Sequence, residues 1–143
     1  MNTDFIVPTW IIEDIIDFFQ PYGKVVNVYK ENDKIFKNLL DCDKIKNEKY
    51  FPDVDNQYDW LIDILSQSIN SDIIKYFNNV FSNILLILPL SKLYDNLSLL
   101  KLNKNIKHIR TYSKNIENKL NEPICVIHFK QNYFKNISYS TFK

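Results

Sequence analysis

Two stretches in the C-terminal half carry nearly the same line of residue types, and this line constrains the fold more than any other feature. One reads Leu97-x-x-Leu100-x-Leu102-x-x-Asn105 and the other Ile124-x-x-Ile127-x-Phe129-x-x-Asn132-x-Phe134. They are offset by 27 positions, inside the roughly 20–29-residue period at which strand-plus-turn units stack side by side. In such a unit the apolar positions point inward along a strand, and the Asn side chain bonds backbone where the chain turns. The first line ends early, because Lys107 stands where a last apolar residue is expected. Two units are also fewer than the roughly three that stand alone. They are expected to pack on the N-terminal part.

That part reads as helical. Val7-Pro8-Thr9 leads into a helix from Trp10 to Phe19, with Ile11, Ile15 and Phe18 on one stripe and Ile12, Ile16 and Phe19 beside it. Proline suits a first helical turn, where its missing N–H costs nothing. Acids Glu13, Asp14 and Asp17 favour the positive end of the helix dipole. Pro21-Tyr22-Gly23 ends the helix. Val25 to Tyr29 suits a strand or a buried helical turn alike. Lys34 to Leu40 reads as a helix, and Asp41 to Asn56 as a connection. Asp59 is placed to cap a helix from Trp60 to Ile69. Ser71 is placed to cap another that carries Phe77, Phe81, Ile84, Leu85 and Leu88 up to Pro89. The spacing predicts that these two form an antiparallel pair turning at Asn70. After Pro89, β-compatible runs follow at Ile106–Ile109, Ile124–Phe129 and Tyr133–Tyr139. The expected fold class is α+β, with a helical module over residues 1–89 and a repeat-like, strand-bearing segment over residues 90–143 packed on it.

The chain is 143 residues long and 45% hydrophobic, enough to bury a core and to exclude disorder. It has no alanine, one glycine and one arginine. Codons for those residues are GC-rich, so the composition points to an AT-rich genome, such as that of a large DNA virus or a protist. Residues 1–70 carry 13 acids and 7 lysines, whereas residues 71–143 carry 4 acids and 11 bases. The basic half can attract nucleic acid through a patch of Lys101, Lys104, Lys107 and Arg110, or it can complement the acidic half. A single arginine speaks against nucleic-acid readout, which arginine dominates. Cys42 and Cys125 make no disulfide framework and are expected to be reduced, in the cytoplasm or nucleus of a host or source cell. The longest apolar run, Ile84 to Leu88, is too short to span a bilayer.

Catalytic chemistry is hard to find in this chain. Gly23 stands alone, so no phosphate-cradling glycine loop can be built. His108, His128, Cys42 and Cys125 lack metal-ligand spacing. On a strand, Cys125 and His128 point to opposite faces. Asp41 with Asp43, Asp53 with Asp55 and Asp59 with Asp63 read as a solvated charged stretch and a helix cap. General acid–base work would require burial of one member of a pair. No catalytic residue, metal or cofactor is therefore expected, and the chain reads as a non-enzymatic protein-interaction protein.

Two segments carry a family resemblance. Val7-Pro8-x-x-Ile11-Ile12-x-x-Ile15-Ile16-x-Phe18-Phe19 resembles the opening helix of an F-box. Pro123 to Ile137 is similar to an FNIP-type repeat, a leucine-rich-repeat relative abundant in giant DNA viruses and social amoebae. Ile127, Phe129, Tyr133 and Ile137 match that repeat's spacing, whereas Lys130 replaces its glycine and Lys135 breaks its Phe-Asn pair. The resemblance implies a leucine-rich-repeat-like C-terminal part and a substrate adaptor of a cullin-type ubiquitin ligase. Val7, Pro8, Ile11, Ile12 and Ile15 would then contact a Skp-type partner. Two alternatives stay open: a small helical viral protein that binds a host factor or virion component, and a nucleic-acid binder using the basic half.

Overall fold

The apolar run Phe81–Pro89 forms the strand at the centre of a seven-stranded sheet. The computed structural model describes residues 7–23, 25–27, 42–44, 58–64, 81–95, 105–113 and 120–143. In chain order these contain α1 (Thr9–Phe19), β1 (Val25–Asn27), β2 (Cys42–Lys44), β3 (Tyr58–Ile64), β4 (Phe81–Pro89), α2 (Leu90–Asp95), β5 (Ile106–Tyr112), β6 (Ile124–Lys130) and β7 (Ser138–Thr141). The strand order is β2-β1-β3-β4-β6-β5-β7. From β2 to β4 all neighbours are parallel. β6 then runs antiparallel to both β4 and β5, and β7 is parallel to β5. One register row crosses most of the sheet as Asn27, Ile62, Leu85, His128, His108 and Ser138.

The expected mostly helical N-terminal part is overturned. Tyr58–Ile64 and Phe81–Pro89, read as parts of a helical pair, are strands of a parallel core. The physical reason is burial on both faces. From Asn83 to Pro89 every residue of β4 is buried, so the period-two alternation that marks a half-exposed strand is erased. A short unbroken apolar run reads the same way in a buried helix. The expected helix from Lys34 to Leu40 and the turn at Asn70 lie outside the described residues. The helix begun at Trp10 is present, with its apolar residues spaced as the sequence implies.

The repeat reading is overturned as well. Stacked units of that kind need parallel neighbouring strands, but β6, which holds the second line, is antiparallel to both strands beside it. Most of the first line, up to Lys104, lies outside the described residues. Asn132 does mark a turn, adopting a left-handed φ of 64°. The fold is thus a mixed, doubly wound α/β sheet, not an α+β arrangement with a leucine-rich-repeat-like end.

Two cores flank the sheet. α1 lays Ile11, Ile12 and Ile15 on one face, against Trp60, Ile62, Ile64, Leu85, Ile87 and Val126. The other face gathers Leu61, Ile84, Leu86, Leu88, Cys125, Ile127 and Phe129, with Leu90 and Leu93 of α2 packed there. α2 follows β4 without a gap, and its Leu90 N–H bonds the Pro123 carbonyl at 2.9 Å. The strands before and after Pro89 belong to one sheet. No described helix is long and apolar enough to cross a membrane.

Candidate functional site

The direction of the chain picks out one edge. From β1 it moves outward to β2 and then returns past β1 to β3 on the other side. Connections that diverge in this way leave a crevice beyond the carboxyl ends of the two adjacent strands, where open α/β sheets bind ligands. By this rule the ligand-binding edge of the sheet is the one at Asn27 of β1 and Ile64 of β3. α1 starts on the same side, since Trp10 meets Tyr112 and Phe142 at the far ends of β5 and β7. It finishes over the sheet's middle rows, where Phe19 meets His108 and His128.

Asp63 is the titratable side chain on that edge, one residue before the end of β3. Its flanking residues Ile62 and Ile64 join the α1-side core, so alternation sends Asp63 to the opposite face, beside its register partner Leu86. Burial drives its carboxyl pKa up to about 7, while a hydrogen bond from the Ile64 backbone acts in the other direction. Among the described residues no cation pairs with it. A half-buried carboxyl with its pKa raised toward neutrality, at the end of a central parallel strand, is an environment found for proton-transfer groups. The sequence reading placed Asp63 four residues after Asp59 on a helix, which made it a solvated charge. The available signal was its isolation as the one charge in Trp60-Leu-Ile-Asp-Ile-Leu65.

His128 shows the contrasting case. Asn83 donates through Nδ2 to the Asp59 carbonyl at 3.3 Å, which turns its Oδ1 toward His128 Nε2 at 2.9 Å. That nitrogen must then carry the imidazole proton. The ring stacks on Trp60 with centroids 5.0 Å apart and meets Phe19 edge-on. Burial, aided by Lys107 and Lys130, pushes its pKa down to about 3, so the ring is neutral. Gly23 supports this corner. It adopts φ of 77°, and a β-carbon there would overlap the Asp59 carboxylate.

A third polar cluster ties α1 to the outer strands. Arg110 Nε and Nη2 donate to the two Asp14 oxygens at 2.8 and 3.1 Å, and the Tyr112 hydroxyl also donates to Asp14. Burial works to lower the Arg110 pKa, but its bonds to Asp14 and Tyr112 leave it raised. Burial and Asp14 raise that of Tyr112. Arg110 Nη1 also reaches Ser140 at 2.9 Å, and Phe18 covers the guanidinium. On β5, His108 bridges Ser138 at 2.5 Å and Ser140 at 2.7 Å, its pKa lowered by burial and then by Arg110 and Lys107.

The residues singled out from sequence fall as follows. Val7, Ile11, Ile12 and Ile15 are at most 2% exposed and face the chain's own sheet, while Pro8 precedes α1 in an extended conformation. Arg110 is committed to Asp14, Lys107 is half-buried, and Lys101 and Lys104 lie outside the described residues. Cys125 and His128 do point to opposite faces, and burial raises the Cys125 thiol to about 12. Among the described residues no group of His, Cys, Asp and Glu is arranged to hold a metal.

Comparison with solved structures agrees with this topology. The chain is similar to the type I restriction-modification system methyltransferase subunit from Streptococcus thermophilus, with a TM-score of 0.61, 9% identity, and coverage of 96% of this chain and 47% of that one. It therefore spans about half the length of that subunit. It is also similar to Thermoplasma acidophilum 1320, with a TM-score of 0.54, 8% identity, and coverage of 87% and 88%. At these identities the likeness is one of fold. No family model and no curated protein matches the chain. The F-box and FNIP resemblance is overturned by this fold, together with the cullin-adaptor reading it implied and the separate reading as a small helical protein. The expectation of a non-enzymatic protein falls with them, since it rested on that fold, and one neighbour of the sheet is a methyltransferase subunit.

Proposed function

We propose that this domain is a methyltransferase whose reaction crevice lies beyond the carboxyl ends of β1 and β3, with Asp63 as proton acceptor. The observation that carries the reading is the position of Asp63, a half-buried carboxyl with no cation beside it among the described residues, at the topological switch edge of a methyltransferase-like sheet. The donor that suits this fold is S-adenosylmethionine, which supplies an electrophilic methyl group on a sulfonium. It carries no phosphate, so it does not demand the glycine cradle that a pyrophosphate needs. The glycine-free stretch of residues 28–41 is compatible with it. The edge must instead offer acceptors to a cationic, hydroxyl-bearing molecule. An acceptor nitrogen or oxygen loses a proton as it gains the methyl. A carboxyl with a pKa of about 7 is matched to taking that proton near neutral pH.

Methyl-tritiated S-adenosylmethionine, offered with plasmid DNA, bulk RNA or a total protein extract, tests the proposal. The wild type is expected to label one of the three. Asp63→Asn should lower turnover by about 100-fold, the usual scale for loss of a general base, with donor binding retained. Transfer to none of the three, together with no donor binding up to about 1 mM, overturns the reading.

A further inference from the structure

β5 and β7 run parallel, with His108 beside Ser138 and Arg110 beside Ser140 in register. Alternation along both strands sends these four side chains to the face that α1 covers. There Phe18 lies over the Arg110 guanidinium at 4.1 Å, and its ring centroid is 5.1 Å from that of His108. Thr111 and Thr141 tie the other face of the same two strands through hydroxyls alone, 3.0 Å apart. Holding β7 to β5 therefore does not require a titratable ring.

The hydrogen bonds around His108 run in one direction. The Ser138 hydroxyl donates to the Lys107 carbonyl at 3.1 Å, so its oxygen accepts from His108 Nδ1 at 2.5 Å. Burial and the cations Arg110 and Lys107 keep the ring neutral near pH 7, which leaves Nε2 without a proton. Ser140 Oγ accepts from Arg110 Nη1 at 2.9 Å and lies 2.7 Å from Nε2, so its own proton points at that nitrogen. A serine hydroxyl donating to an unprotonated Nε2, with Nδ1 held by a third group, is the arrangement that activates serine for attack. Arg110 adds a positive charge beside the reacting oxygen, and it is fixed there because Asp14 holds its Nε and Nη2. Ser138 is exposed and Ser140 half-buried on the outermost strand of the described sheet, so a small molecule can reach the hydroxyl.

We propose that Ser140 is a nucleophile that takes the acyl group of a small carboxylic ester, with His108 as its base and Ser138 orienting the ring. Oγ attacks the ester carbonyl while its proton passes to Nε2, Arg110 stabilises the oxyanion, and the alcohol leaves with that proton. Water then attacks the acyl-serine and gives one proton to Nε2, which passes it to the departing Oγ as the carboxylic acid is released. β5 lies three strands from β3, roughly 14 Å at about 4.8 Å per strand. This site and the methyl-transfer crevice therefore stand or fall separately.

A fluorophosphonate probe, which phosphonylates activated serines and expels fluoride, tests this on the full chain without methyl donor. Peptide mass spectrometry locates the label. The wild type is expected to carry it at Ser140 and to release nitrophenolate from p-nitrophenyl acetate. Ser140→Ala should abolish both. His108→Ala should slow labelling by about 100-fold, and Ser138→Ala should slow it less. Circular dichroism establishes that the variants fold, and the wild-type label decides the matter where one does not. No label on the wild type, a label at another residue alone, or equal labelling in folded His108→Ala each overturns the proposal.

Discussion

His128 is a buried and Asp63 a half-buried titratable group of one sheet, one register row and two strands apart, yet they are housed in opposite ways. His128 is enclosed: Asn83 Oδ1 accepts its N–H hydrogen bond, Trp60 stacks on it and Phe19 meets it edge-on. Among the described residues Asp63 has only the backbone N–H of Ile64. At His128 the sheet supplies a hydrogen-bond partner and a stacking ring to a buried polar group. A carboxyl left without a counter-ion costs stability, and such costs concentrate at working sites.

The comparison breaks most easily at His128. Replacing it with alanine removes a hydrogen bond, a stack and core volume, and should lower unfolding stability by about 3 kcal/mol at pH 7; urea denaturation measures this. The opposite sign is expected for Asp63→Asn. Removing the charge should raise stability at pH 8 by about 2 kcal/mol, after allowance for the partial exposure of the group. An unchanged or lowered midpoint would show that the carboxylate is well satisfied after all.

The same two variants separate two pH dependences. The pKa of Asp63 is about 7 in the folded chain against an ordinary 3.8, so the folded state holds the extra proton between these values. Its contribution to stability falls as pH rises through that window. The pKa of His128 is about 3 against 6.5, so the unfolded chain holds the extra proton and stability rises with pH from 3 to 6.5. In the wild type the two slopes oppose each other over most of this range. Asp63→Asn should expose the His128 slope, with a gain of about 3 kcal/mol between pH 4 and 6.5. A flat profile in that variant would contradict the enclosure of His128.

Smaller effects sharpen the picture. Gly23→Ala forces a β-carbon against Asp59 at positive φ, at the corner that holds Asn83. A loss of about 1 kcal/mol is expected by thermal denaturation. Phe134→Ala with Tyr139→Ala should change stability by less than about 0.5 kcal/mol, since these rings are exposed. A larger loss would make them part of the fold.

Part of this molecule was legible in its sequence. The stripe of Ile11, Ile12 and Ile15 reports α1 directly, because one face of a surface helix is buried and the other wet. Ile124–Phe129 was legible as a strand, and the opposed faces of Cys125 and His128 followed from that. β3 and β4 were not, because strands buried on both faces lose their alternation and Asp59 mimics a helix cap. The false repeat arose from the same source: regularly spaced isoleucine and leucine before an asparagine also describe a core strand entering a turn. Asp63 was hidden because its meaning depends on the strand that carries it. On a helix it is a surface charge, and at the end of β3 it is an open carboxyl beside a crevice.

The most direct measurement of the central claim is NMR mapping of backbone amides during titration with S-adenosylhomocysteine. Shifts are predicted to concentrate at Asn27, Asp63 and Ile64, with Gly23, Asp59, Asn83 and His128 unmoved. Shifts centred on the latter group, or none at saturating ligand, would contradict the assignment of function to the carboxyl edge.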